Sequence, residues 1–338
     1  MRTERTVKKK HKKNRRTRAE RRWSRILTLV MTLAALFGAW NILVEKPSMA
    51  APDGAAETPD GPSKGGQGKA DKNAPPDAQT RRENVWTFLL VGMDKGGGNT
   101  DSILLATYDV DNQSVSLASI ARDTRVDVSR KLKKINAAYA FGGMDELKDE
   151  VSRTFGIPID FYVRININGF VALVDAVDGV DFEVPCNMNY DDPAQDLSIH
   201  YKKGMRHLTG QQALEVCRFR KNNSGEGYGD EGRMQTQRGV MTEVAKKILA
   251  WNNIGRVNDF LAIVKEHVDT DMELSDMTWF ATRAVSFSTE NLHTMAMPCS
   301  WHNPYMYLHP DETLQMVNEY LSPYVLDRTA DQLDIITR

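Results

Sequence analysis

VWTFLLVGMDKGGGNTDSILLATYDVDNQSVSLASI, residues 85–120, is the stretch on which the fold turns. Its first ten residues, Val85–Asp94, form a compact apolar run ending in glycine and aspartate, as a buried strand does. SILLATYDV (102–110) and SVSLASI (114–120) follow, separated by Asp111-Asn112-Gln113, and this pattern predicts a hairpin.

Outward from that core, helical and extended patterns alternate. Helices are expected over 145–155, 169–177, 209–216 and 233–251, and strands over 161–167 and 180–184. Such alternation predicts an α/β domain over 85–251, with a central mixed β-sheet covered by helices in α-β-α layers. Residues 252–338 are expected to form a C-terminal lobe packed on it.

On the other side, residues 45–84 are Pro, Gly, Ala, Asp and Lys with almost no large apolar residue, which predicts a disordered linker. Before it, ILTLVMTLAALFGAWNILV (26–44) carries no charge. As a helix it covers about 28 Å, close to the bilayer core of about 30 Å. Trp23 and Trp40 lie near its ends. A cleavable signal peptide, with Ser48-Met49-Ala50 as cleavage site, is the rival. Its apolar core is usually about 7–15 residues, shorter than this one.

The formal charge of −1 hides an asymmetry. Residues 1–25 hold 13 Lys and Arg against two acids, a surplus of +11, so the remainder carries −12. Basic residues on the N-terminal flank place that tail in the cytoplasm and the acidic body outside the cell membrane. The tail suits anionic headgroups better than nucleic acid, and no nucleic-acid partner is expected. Three cysteines are too few for a disulfide framework.

Several chemical signatures are missing: no GxxxxGK[ST] loop, no HExxH pair, no GxSxG elbow. Aspartate and arginine at strand ends remain. Asp94 and Asp101 bracket a glycine-rich loop, where they either shape a turn or hold a Mg²⁺ ion. Arg122 follows the third strand. Arg218 and Arg220 flank Phe219; in an extended tripeptide both guanidiniums share one side and can clamp an oxyanion, or they form surface ion pairs. Arg233 and Gln237 share a face of the long helix, whose N-terminus attracts anions. Met241, Val244 and Ile248 continue that face as an apolar stripe, either plain core or the lining of a lipid slot.

GMD (92–94), TDS (100–102), SIARDT (119–124), KINAAYAFGG (134–143), CRFR (217–220) and GDEGRMQTQR (229–238) together resemble the LytR-CpsA-Psr family. INGFVALVDAVDGVDFEV (167–184) and KGMRHLTGQQALEVCRFRK (203–221) add to the resemblance, which covers about 86–251 in order. It implies a phosphotransferase that moves an anionic glycopolymer from a polyprenyl-pyrophosphate carrier to peptidoglycan. Asp94 and Asp101 would hold Mg²⁺, and Arg122, Arg218, Arg220, Arg233 and Gln237 would bind the pyrophosphate. Lys134 would lie nearer the acceptor. Two departures from the family pattern, Asn99 and Thr236 in place of arginine, make the site less positive; Arg238 and Lys95 are near enough in sequence to compensate. A lipid-pyrophosphate hydrolase would use the same residues. A membrane-bound regulator of transcription is the non-enzymatic alternative, but the tail has no helix-turn-helix pattern.

Overall fold

The computed structural model describes residues 45–50, 79–93, 100–249, 257–284 and 287–337. The basic tail, the span expected at 26–44, most of the linker and the loop 94–99 lie outside the described residues. Among those described, no helix is long and apolar enough to cross a membrane.

The chain opens with β1 (Val85–Met93), β2 (Thr100–Asp109), β3 (Ser114–Ile120), α1 (Ala137–Phe155) and β4 (Phe161–Ile165). There follow α2 (Ile167–Ala176), β5 (Val180–Val184), β6 (Met188–Asp192), β7 (Leu197–Tyr201), β8 (Gly204–Leu208), α3 (Gly210–Arg218) and α4 (Gly229–Leu249). The last third holds α5 (Val257–His267), β9 (Val268–Thr270), α6 (Leu274–Ala284), β10 (Leu292–Ala296), β11 (Cys299–His302), β12 (Tyr305–Leu308) and α7 (Pro310–Met316).

Six strands in the order β10-β3-β2-β1-β4-β9 make the central sheet. β1 runs antiparallel to β2 and parallel to β4, while β3 is antiparallel to β2 and parallel to β10. The sheet is therefore mixed, as expected. Alternate residues of β1 face opposite ways, so one apolar run serves two layers. Leu89, Val91 and Met93 enter a core shared with Leu147, Val151 and Phe155 of α1. Trp86 and Phe88 turn to α6, with ring centroids 4.8 Å from Trp279 and 5.2 Å from Phe280 respectively. Each such side chain fully buried contributes about 1.5–3 kcal/mol.

Helix α1 starts earlier than its periodicity suggests. Gly142 (φ −139°, ψ 15°) and Gly143 (φ 74°, ψ −156°) interrupt its helical dihedrals and blur the pattern before Asp145. The helix ends at Gly156 in the left-handed region (φ 66°), where a Cβ would collide with the Gln332 carbonyl. Beyond β4, a second core of Val174, Val180, Met188, Ile199, Leu208 and Phe219 lies among α2, α3, α4 and β5–β8. Thr209 and Gln212 form a capping box that starts α3.

Residues after 252 contribute to the central sheet. β10 pairs with β3 and β9 with β4, so this region supplies both outer strands of the sheet. Leu308, Val317, Leu321, Tyr324 and Leu333 enter the first core. The strands VDT and LHTMA are too short and too polar to announce themselves in the sequence.

The body also begins before Val85. Arg81 donates to both oxygens of Asp160, at 2.6 and 2.7 Å, with side-chain exposures of 7% and 0%. The same carboxylate accepts from the backbone N–H of Ala50 (2.7 Å) and of Thr87 (2.8 Å). Arg82 reaches Asp109 and the Ser322 carbonyl. Both described ends of the expected linker are thus tied to the domain.

Removing one member of a buried pair leaves the other charge without compensation, so Asp160→Ala should cost about 3–5 kcal/mol, read as a lower urea midpoint with an unchanged slope. Cys186, Cys217 and Cys299 are free thiols. Burial pushes the Cys217 thiol up to about 12; in the native protein at pH 8 it should resist iodoacetamide, and should alkylate readily once urea unfolds the chain.

Candidate active site

β1, β3, β4 and β10 all point their carboxyl ends to one end of the sheet, and β2 begins there. In open α/β sheets this is the end where ligands bind. At that end Met93 pairs with Thr100 across an irregularity in the ladder. In the sequence Asp94 follows the first and Asp101 the second. Asp94 lies outside the described residues, and of Asp101 the structure describes the backbone, as the second residue of β2.

Arg122 follows β3 and opens a segment, 121–136, that folds back on itself. Thr124 donates its N–H to the Ala121 carbonyl (2.9 Å), and Ile135 donates to Thr124 (2.9 Å). Asn136 joins the two strand ends: its N–H donates to the Arg122 carbonyl (3.2 Å), and its own carbonyl accepts from Thr100 Oγ1 (3.4 Å). The neighbourhoods of Arg122 and Asp101 are thereby linked through one residue at the start of α1. Arg130 secures the same segment to α1. It pairs with Glu150, which is 1% exposed, and donates to the Lys134 carbonyl (2.8 Å). Burial raises the Glu150 carboxyl, and the Arg130 guanidinium opposes that rise. Lys134 itself pairs with Asp123 at 3.1 Å.

The remaining predicted residues gather where α3 meets α4. Phe219 is fully buried, and Arg218 and Arg220 flank it at the end of α3. Arg218 donates to Gln195 Oε1 (2.7 Å), and Arg220 is exposed. The Gly229 N–H donates to the Arg220 carbonyl (3.1 Å), and Gln237 Nε2 donates to the Cys217 carbonyl (3.0 Å). These bonds seat the first turns of α4 against the end of α3. Arg233, one turn before Gln237, is half-buried on the same face. α4 packs on β5 and reaches β10, the strand beside β3. The predicted residues therefore form two groups, one at the sheet end and one at the helix junction.

Several residues of α4 turn inward. Thr236 is 3% exposed, and its hydroxyl lies 3.1 Å from that of Tyr228, whose ring packs on Phe219 at 5.3 Å. Position 236 therefore faces the interior. Burial pushes the Tyr228 phenol up to about 12, so it stays neutral. In the apolar stripe, Val244 belongs to the second core and Ile248 packs against it, while Met241 is half-buried. Val244 is buried, and Ile248 is half-buried beside it.

A cluster that the sequence did not single out lies at the end of β4. The Arg164 guanidinium bonds Asp269 (3.0 Å), contacts the Tyr139 hydroxyl and lies 5.5 Å from the centroid of that ring. Tyr139 stands inside KINAAYAFGG, one turn after Asn136, and that placement was the available signal. Two clefts, of about 520 and 350 Å³, open toward the other end of the sheet. The first is lined by Arg153, Arg328 and Asp334, the second by Arg82, Asp109 and Tyr320. Neither includes a predicted site residue. Among the described residues no group of three His, Cys, Asp or Glu is placed to hold a metal ion.

A model of the LytR_cpsA_psr family matches residues 60–322. A Bacillus mycoides (strain KBAB4) polyisoprenyl-teichoic acid–peptidoglycan teichoic acid transferase, TagU, is 36% identical over 212 residues, 61% of this chain and 67% of that protein. TagV of Bacillus subtilis (strain 168), a transferase of the same description, is 30% identical over 265 residues, 74% of this chain and 67% of that one. The crystal structure of B. subtilis TagV superposes with a TM-score of 0.59 at 26% identity, covering 71% of this chain and 98% of the other. On a family match that spans both groups of site residues, the chain belongs to the LytR-CpsA-Psr family.

Proposed function

We propose that the protein is a transferase that moves a teichoic-acid-type glycopolymer from a polyisoprenyl carrier to peptidoglycan. The observation that carries this reading is the Asn136 link, which sets Arg122 beside the strand that begins at Thr100-Asp101. The relatives named for this reaction, at 36% and 30% identity, support it.

A pyrophosphate diester carries about two negative charges, and an acceptor hydroxyl must approach them. Phosphoryl transfer asks the protein mainly for positioning and charge neutralisation. Arg122 meets the diphosphate from the sheet end; Arg218, Arg220 and Arg233 meet it from the α3–α4 junction, with Gln237 beside them. Backbone bonds fix the chain at each position, so little reorganisation is needed as charge develops on the leaving phosphate. Lys134, half neutralised by Asp123, stands on the acceptor side.

Mg²⁺ usually takes one or two protein carboxylates and fills its other positions with water and phosphate oxygens. Asp94 and Asp101 would hold it, and it would supply further positive charge to the phosphate oxygens. The isoprenoid tail would run along α4 past Met241, since Val244 and Ile248 are committed to the core. The segment 26–44 anchors the chain in the cell membrane, with the catalytic domain outside.

Arg122→Ala should lower transfer about 10²–10³-fold, the loss expected for one preorganised oxyanion donor. The assay follows labelled lipid-linked polymer into peptidoglycan; normal turnover by a folded variant refutes the assignment, and release of polymer into water instead identifies a hydrolase. Asp101→Asn should weaken Mg²⁺ binding at least about tenfold by isothermal titration, with the urea midpoint unchanged.

A further inference from the structure

The C-terminal region carries a second constellation that phosphoryl transfer does not use. Ser300 Oγ lies 2.7 Å from His309 Nε2, and His309 Nδ1 lies 3.3 Å from Glu312 Oε2. A carboxylate on Nδ1 favours the tautomer with its proton there, and leaves the Nε2 lone pair facing the serine hydroxyl. Nucleophile, base and orienting carboxylate then stand in the order that activates a serine. The His309 and Glu312 side chains are 41% and 67% exposed, so a solute can reach them.

Local structure holds the three residues. Ser300 sits in β11 opposite Tyr307 of β12, and His302 sits opposite Tyr305. Cross-strand partners share a face, so Tyr307, His302 and Tyr305 make an aromatic wall on the Ser300 side. Tyr307 stands 5.9 Å from His302 and 6.3 Å from Tyr305 between ring centroids. His309 precedes α7 and Glu312 lies in its first turn, three residues on. The hairpin is bonded to the segment just past Arg122: Met306 N–H donates to the Asp123 carbonyl (2.9 Å), and Arg125 N–H donates to the Met306 carbonyl (2.8 Å).

We propose that Ser300, His309 and Glu312 form a serine esterase site for short O-acyl esters. Ser300 Oγ attacks the acyl carbon while its proton passes to His309 Nε2. The carbon–alkoxy bond breaks, and the alcohol leaves with that proton. Water then attacks the acyl-serine, giving its proton to Nε2, and the carboxylic acid departs as Ser300 recovers its hydrogen. The aromatic wall receives the acyl group. This activity does not depend on the phosphoryl-transfer reading, since the two sites share no residue.

The test treats full-length chain in detergent with a fluorophosphonate, which forms a stable Ser Oγ–P bond with loss of fluoride, and locates the adduct by peptide mass spectrometry. Labelling is expected at Ser300, at least about 10²-fold slower in His309→Gln and at least about tenfold slower in Glu312→Gln. Hydrolysis of p-nitrophenyl acetate should fall to background in Ser300→Ala. Arg122→Ala should label normally, which separates this site from the transferase. Unchanged Ser300 labelling in a His309→Gln protein that melts like the parent overturns the proposal, as does a parent protein with no adduct at Ser300.

Discussion

The pairing of Arg81 with Asp160 is the constraint on which the arrangement of the sheet rests. Two charges taken out of water cost several kcal/mol each unless they are paired and hydrogen-bonded. Here the carboxylate accepts from the two terminal guanidinium nitrogens, from two backbone N–H groups and from the Thr87 hydroxyl. Asp160 immediately precedes β4, and Thr87 lies in β1. The network therefore fixes where β4 enters alongside β1, and with it the parallel register that sends both strands' carboxyl ends to the same side.

At that side the chain repeats the device with backbone groups. Segment 121–136 closes on itself, Arg130 fastens it to α1 through Glu150, and Asn136 joins it to the start of β2. Arg122 is thus held by its main chain. The α3–α4 junction does the same by another route: Phe219 is the buried plug, and the arginines on either side of it are directed away from the core. Fixed donors around a developing charge are what phosphoryl transfer demands.

Much of this was legible in the sequence because it rests on local signals. β1 announces itself by a compact apolar run, and β2 and β3 by the Asp111-Asn112-Gln113 turn between two apolar-rich segments. The parts that were not legible rest on contacts between distant residues. Arg81 and Asp160 are 79 positions apart, and nothing about Arg81 distinguishes it from its polar neighbours. The two outer strands are three and five residues long, below the length at which alternation can be read. Gly142 and Gly143 hide the first turns of α1. A stripe such as Met241, Val244 and Ile248 looks the same whether it meets lipid or protein. Position 236 shows the same ambiguity: the residue before Gln237 points into the core, and helical phase alone did not say so.

The brevity of β9 and β10 has a consequence for behaviour at high concentration. An outermost strand offers unpaired N–H and C=O groups on which another chain can zip, which is how fibrillar association starts. Both borders of this sheet are made by strands too short to template more than a few bonds, and β9 carries the charged Asp269, already engaged by Arg164. The C-terminal region therefore acts as a selvedge, closing the weave against recruitment of further chains.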